Sequence, residues 1–438
     1  MHVMAWARER FWLLPAACAA VAGVLGLVLP EVDAALSRSI DLPFLFGGGP
    51  EGARALLSAI ISSMISFTAL VFSITIVVLQ LTSSQFSPRV LRTFLRDHFN
   101  QSTLGVFVAT FIYAMTVLRS VRGTAQESPF VPQLAVSTAF AFVLASVIVF
   151  LFYLHHIAQS IRVATIITEI GEETRRVLER WHPPDPDPDP DPDRFASASQ
   201  PDGASPRIVT TDRPGVVQAV ELDALAGVAE RAGVLVEMLR SVGEFLPTGV
   251  ATFRIRGAGG GEVHDGDVLR ALSLGRERSQ EQDVGFGLRQ LVDVACRALS
   301  PGINDPTTAV QVLDQIHDLV RRLAGRPLSC HRVVTRSGRT VVIIPTPGFA
   351  EYLDLAVDEI HHWGHDDPRV RNRLRGLLVE VHAAARPEHR TLIVRKLATW
   401  KESPVPVGVI DLMPSDIGLR AHQTPLGSEQ GPPSVVGG

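Results

Sequence analysis

The densest set of ligand-type side chains in the chain is His361, His362, His365, Asp366 and Asp367. His361 and His365 stand at i, i+4, a spacing that puts two imidazoles on one helix face as zinc sites often require. The helix that carries them ends at Gly364-His365, and no acid stands in the metalloprotease position. The cluster therefore reads as a solvated helix end, and no metal is expected. A second set is Gln282, Asp283, Asn304 and Asp305. The first pair leads into a helix reaching about Leu299, and the second follows the turn Ser300-Pro301-Gly302-Ile303. These four can gather at one corner and bind a ligand. The alternative is a capped helical hairpin, with Asp305 as N-cap, Pro306 at the first helical position, and Arg289, Asp293 and Arg297 as a charge ladder at i, i+4 and i+8. Glycines from Gly257 to Gly261 follow a strand, but Glu262 stands where a dinucleotide loop has its last glycine, so they read as a hairpin tip. No nucleophile elbow, phosphate loop or intramembrane catalytic pair occurs. No catalytic residue and no cofactor is expected, and the chain is not expected to be an enzyme.

A third set suggests chemistry without a catalyst. Ser58, Ser62, Ser66, Ala69, Ser73, Gln80 and Ser84 fall within about 80° of one another at helical spacing, on one face of an apolar run long enough to cross a bilayer. Hydroxyls on such a face either pack against neighbouring helices or line a wet path. Thr68, Thr75 and Thr82 repeat every seventh residue roughly opposite, where back-bonding to the preceding turn makes them ordinary helix filler. Beyond the run, Arg89, Arg92 and Arg96 recur at i, i+3 and i+7, with Val90, Leu91, Phe94 and Leu95 on the other side. This is an interfacial amphipathic segment, read as a topology anchor or, more sharply, as a gate helix joining two spans.

The elements that must hold these sets divide the chain. Its 438 residues have a formal charge of -4 and a mean hydropathy of +0.21, with the apolar residues concentrated before about residue 157. Four spans are expected: Phe11 to Leu29, ended by Pro30; the serine-bearing run; 103–121; and Leu134 to Ile157. Arg8 and Arg10 before the first span also suit a signal peptide with a site near Ala34, but its apolar core is longer than usual, and an uncleaved helix is preferred. The basic flanks place both termini in the cytoplasm, although Arg119 and Arg122 weaken the count. Cys18, Cys296 and Cys330 have no paired or metal-ligand spacing and read as reduced packing residues. Near-neutral charge gives no reason to expect a nucleic-acid partner. All basic residues except Lys396 and Lys401 are arginine, a bacterial coding bias.

The expected architecture is a four-span membrane α-helical domain (1–157) followed by a cytoplasmic α+β domain. A helical stalk covers 158–182 and an Asp-Pro and serine-rich spacer 183–206, whose five alternating aspartates cannot converge on calcium. A small α+β or β-rich module occupies 207–275, with strands over Ile208–Val220, Val234–Leu239 and Val250–Ile255 and a helix over Glu221–Ala232. A mainly helical part follows over 276–400, and 401–438 reads as disordered.

The segments SFTALVFSITIVVLQLTSSQFSPRVLRTFLRD (Ser66–Asp97) and QDVGFGLRQLVDVACRALSPGINDPTTA (Gln282–Ala309) resemble the bacterial predicted membrane protein family catalogued as domain of unknown function 2254, over most of residues 10–400. The resemblance implies an integral plasma-membrane protein with a helical N-terminal part and a cytoplasmic part, and it supplies no reaction or substrate. The residues themselves favour a homo-oligomeric channel or passive solute path along the serine face, controlled through Arg89–Arg96 by the cytoplasmic domain. The lipid bilayer and further copies of the chain are its expected partners. The alternative is a membrane-anchored sensor or scaffold without transport.

Overall fold

The computed structural model describes residues 12–36, 46–85, 98–123, 130–160, 162–184, 206–257, 263–328, 330–334 and 340–400. The Arg89, Arg92 and Arg96 segment, most of the Asp-Pro spacer, the tip 258–262 and the tail 401–438 lie outside these residues. Four helices are long and apolar enough to cross a membrane: α1 (Leu13–Leu36), α2 (Pro50–Gln85), α3 (His98–Ser120) and α4 (Gln133–Ser160). α1 continues through Pro30, where the sequence reading ended the span. A bilayer helix tolerates proline when neighbouring elements re-satisfy the backbone.

α3 is the middle of the bundle and packs against the other three. α1 and α3 approach closely because small residues line the contact. A Cβ at Gly26 would lie 2.9 Å from Cβ of Thr116, so any larger residue there must push the helices apart. Hydroxyls complete the interior. Thr110 and Ser146 share a 3.1 Å hydrogen bond between α3 and α4, and the Tyr113 hydroxyl donates to the Ala135 carbonyl at 3.0 Å. Near one end, Asp33 of α1 accepts hydrogen bonds from the amides of Leu134 at 2.8 Å and Ala135 at 3.1 Å. A carboxylate from one helix thus satisfies the otherwise unpaired amides that open another.

After the spans comes an α+β domain with two sheets and a helical bundle. Its elements are α5 (Val163–Trp181), β1 (Arg207–Thr210), β2 (Gly215–Val220), α6 (Leu222–Ala232), β3 (Leu235–Met238), β4 (Phe245–Leu246), β5 (Ala251–Arg256), α7 (Asp265–Arg270), β6 (Leu272–Gly275), α8 (Val284–Ala298), α9 (Pro306–Ala324), β7 (His331–Val334), β8 (Thr340–Ile344), α10 (Phe349–Gly364), α11 (Pro368–Ala384) and α12 (Pro387–Thr399). The five-stranded sheet has the order β1-β5-β3-β8-β7, with β3 and β8 parallel and the other pairs antiparallel; the three-stranded sheet is β4-β2-β6. Helices α5 and α8 to α11 share one apolar core, the sheets a second, and Leu222 touches both.

Three expectations need correction. The segment read as a stalk is not one: α5 buries Ile166, Ile167, Ile170, Thr174, Val177, Leu178 and Trp181 in the helical core. These positions recur at three- and four-residue spacing, so α5 has an apolar stripe despite its charges. The module over 207–275 is not closed at residue 275, because β7 and β8 complete its sheet and bury Val341, Val342 and Ile344 in its core. The strand expected over Ile208–Val220 is two strands in different sheets, separated by a turn in which Thr211 accepts from the Arg213 amide and donates to the Arg213 carbonyl. Helix α12, unforeseen, opens with Pro387 at its first turn and packs Ile393 into the core.

Candidate functional site

The serine face of α2 is turned away from the bundle. Ala53, Leu57, Ile60, Met64, Val71 and Val78 form the buried stripe, and Ser58, Ser62, Ser66, Ala69, Ser73 and Gln80 are exposed on the opposite side of the helix. Ser66 donates to the Ser62 carbonyl at 3.1 Å, and Ser63 to the Ala59 carbonyl at 2.7 Å. Thr68 and Thr75 donate to the preceding turn in the same way, and Thr75 also shares a 2.9 Å hydrogen bond with the Tyr153 hydroxyl of α4. The threonine stripe thus contributes one interhelical bond beyond its local ones.

Gln282, Asp283, Asn304 and Asp305 do not gather at one corner. The first pair stands before the first residue of α8, and the second lies beyond its last, about 22 Å away along 15 residues of helix. Each pair is engaged by the protein itself. The Gln282 side chain accepts from the Val220 amide at 2.8 Å and donates to the Val220 carbonyl at 3.0 Å, extending the pairing of β2 as a neighbouring strand would. Asp283 caps α8 by accepting from Phe286 N at 2.9 Å and receives a two-pronged contact from Arg278 at 2.8 and 2.9 Å. Asp305 caps α9 through the Thr308 amide at 3.1 Å, with Pro306 at the first helical turn. Asn304 takes a left-handed φ of 50° in the turn between them. Arg289 reaches Asp293 at 2.7 Å and also Glu359 of α10. The hairpin reading describes this geometry.

The His361 cluster stays close, with the His361 and His365 rings 6.0 Å apart, but its members are engaged separately. His361 stacks on Trp400 at 4.1 Å, His365 hydrogen-bonds the His362 carbonyl at 2.9 Å, and Asp367 caps α11. Among the described residues, no three His, Cys, Asp or Glu side chains come together as a metal site. The three cysteines are free thiols; burial pushes the Cys296 thiol up to about 12.

Sequence reasoning named Gln282 and Asp283 but missed the rest of the polar centre to which they belong. Where α5 ends against the sheets, Trp181, His182, Gln282, Asp283, Thr346 and Tyr352 line a cavity of about 20 Å³, room for roughly one water. Burial lowers the His182 pKa to about 4, with Arg326 and His331 adding to the effect, so His182 is neutral near pH 7. The Tyr352 hydroxyl lies 3.4 Å from His182 Nε2, and Arg326 donates to the Leu178 and His182 carbonyls. Burial also raises the Asp283 carboxyl, and the Arg278 guanidinium offsets this only in part. Gly243 makes room for the arrangement: it has a φ of 89°, and a Cβ there would collide with Asp283 Oδ2. The partners come from segments up to 170 residues apart, so the only local signal was the run Arg278 to Asp283 itself. The centre joins α5, β2, α8 and α10, and its size suits a structural junction better than a substrate.

The family model described as Predicted membrane protein (DUF2254) matches residues 8–380. The chain belongs to this family. Uncharacterized proteins of Mycobacterium bovis and Mycobacterium tuberculosis are each 32% identical to it over 402 residues, covering 90% of this chain and 76% of theirs. No solved structure matches. This member of the family is a membrane protein with four candidate spans and a following α+β domain.

Proposed function

We propose that the protein is a homo-oligomeric channel for ions or small solutes in the bacterial plasma membrane. In this reading both termini and the α+β domain are cytoplasmic, and the domain regulates the path. The observation that carries it is the exposure of Ser58, Ser62, Ser66, Ser73 and Gln80 opposite the buried stripe of α2. A single four-helix bundle has no room for a path, whereas several copies presenting this face to a common axis would line one with hydroxyls, which share the solvation of a passing solute without a buried charge. Ion flux through liposomes carrying the purified protein tests this, with Ser66→Leu and Ser73→Leu chains that still assemble as comparison. Flux in the parent that is lost in both variants is expected; a parent that passes neither ions under any gradient or voltage nor small uncharged solutes ends the channel reading.

A second reading, a membrane-anchored sensor or scaffold without transport, draws support from the back-bonded Ser63 and Ser66 hydroxyls, which a lipid-facing helix tolerates. It predicts that leucine at Ser66 and Ser73 alters nothing but folding, and that the α+β domain binds a partner. Both readings are non-enzymatic.

A further inference from the structure

The ends of the helical bundle can be told apart by what lies near the membrane. α5 begins at Val163, three residues past the end of α4 at Ser160, so its first turn stays within about 10 Å of the last turn of the fourth span. α9 runs in the same direction as α5, as successive contacts show: Gly171 meets Gln315, Arg175 pairs with Asp318 at 2.8 Å, and Glu179 pairs with Arg322 at 3.1 Å. α11 follows α9, with Arg373 on Asp314 at 2.7 Å and Glu380 beside His317. α8 and α10 run the opposite way and finish together, where a Cβ at Gly364 would lie 3.0 Å from Leu299. The α8–α9 turn and the α10–α11 turn therefore both sit at the end of the bundle where α5 leaves the span.

Ile303 in the first of these turns, and Trp363 in the last helical turn of α10 just before the second, are large apolar side chains in the open. Ile303 is 45% exposed and Trp363 53% exposed, two of only five such side chains among the described residues of the domain; the others, Ile208, Phe245 and Val334, are on the sheets. The first turn is not loose. Ile303 N donates to Ser300 O at 3.0 Å, Asn304 N to the same carbonyl at 2.9 Å, and Asp305 N to Ala298 O at 2.7 Å, so Ile303 is held out rather than folded back.

We propose that the turns bearing Ile303 and Trp363 rest in the headgroup layer of the bilayer beside the fourth span, docking the α+β domain on the membrane surface. Connectivity chooses the occupant: lipid is what surrounds the end of α4. The chemistry fits, because tryptophan is favoured where its ring meets acyl chains and its N–H meets headgroups, and a neighbouring isoleucine adds apolar area withdrawn from water. The proposal goes beyond transport and stands whether or not the protein forms a channel.

The full-length protein in liposomes tests it through tryptophan emission. The signal of Trp363 is the difference between the parent and Trp363→Phe, a conservative change at an exposed position. Quenching of that difference signal by phospholipid brominated on the upper acyl chain is the expected result. A signal that bromolipid leaves untouched overturns the proposal, whether aqueous iodide quenches it (the turn faces water) or not (protein covers it). If Trp363→Phe fails to assemble, Ile303→Trp compared with the parent reads the same contact from the other turn: the added emission must be quenched by the bromolipid, and its persistence overturns the docking.

Discussion

In the bundle Phe72, Leu144, Leu151 and Phe152 are exposed while Thr103, Thr110 and Ser146 are buried; in the domain after Val163, Leu288, Leu313, Ile316 and Leu319 are sealed inside, and the buried charges Asp283 and Arg326 are held by hydrogen bonds. The difference is one of solvent. Lipid tails are as apolar as leucine, so burying a leucine among spans gains little, and the bundle is held by close approach at Gly26 and by hydroxyl pairs such as Thr110 with Ser146. Water drives the apolar stripe of α5 inward and leaves capping and ion pairs to fix the helix ends. Exposure of a large apolar side chain is thus ordinary before residue 160 and calls for a reason after it.

The comparison breaks most easily at leucine. Leu313→Ala is expected to cost about 2–5 kcal/mol in denaturant unfolding of the purified protein, whereas Leu151→Ala should leave stability unchanged. Equal losses at the two sites would mean that Leu151 faces protein. The next effect separates the regions by pH. His182 is neutral in the folded domain, with its pKa lowered from 6.5 to about 4, so between these values the unfolded chain binds the proton and the folded one does not. Stability therefore falls as pH drops through this window, by on the order of 3 kcal/mol when complete. Melting at neutral pH and at about pH 5 should show the loss in the parent and a flatter profile in His182→Asn; parallel profiles would place the acid response elsewhere. The smallest effect belongs to the bundle: Thr75→Val removes the hydroxyl bond to Tyr153 and should cost about 0.6 kcal/mol. Measured in bilayer mimetics, a loss several times larger would show that this pair holds α2 and α4 more firmly than a typical interhelical bond.

What could be read from sequence was local. Asp305-Pro306 announces its helix because an N-cap and a first-turn proline act within four residues, and the spans announce themselves by uninterrupted apolar length. The serine stripe was legible as a face, but its outward direction depends on what α1, α3 and α4 cover, which α2 alone cannot reveal. The buried role of α5 was hidden behind its charged side. The parallel pairing of Val236 with Val342, the Asp33 cap on α4 and the approach of His182 to Tyr352 each join residues about a hundred or more positions apart, beyond the reach of any periodicity. At the Gln282 corner the residue types were noticed, yet their partners, Val220 and Arg278, decided that they stitch the domain together.

The central place of α3 bears on how the protein is made. Its hydropathy of 1.5 is the lowest of the four candidate spans, against 2.2, 2.2 and 2.6, and it buries Asn100, Gln101, Thr103 and Thr110. α1 and α2 are apolar enough to enter the bilayer as each is synthesised. α3 emerges before α4 does, so Thr110 meets the bilayer before its partner Ser146 is available. A chain truncated just after residue 121 is therefore expected to hold its third span in the bilayer less firmly than the full chain does, because the buried hydroxyl of Thr110 would lack its partner on α4.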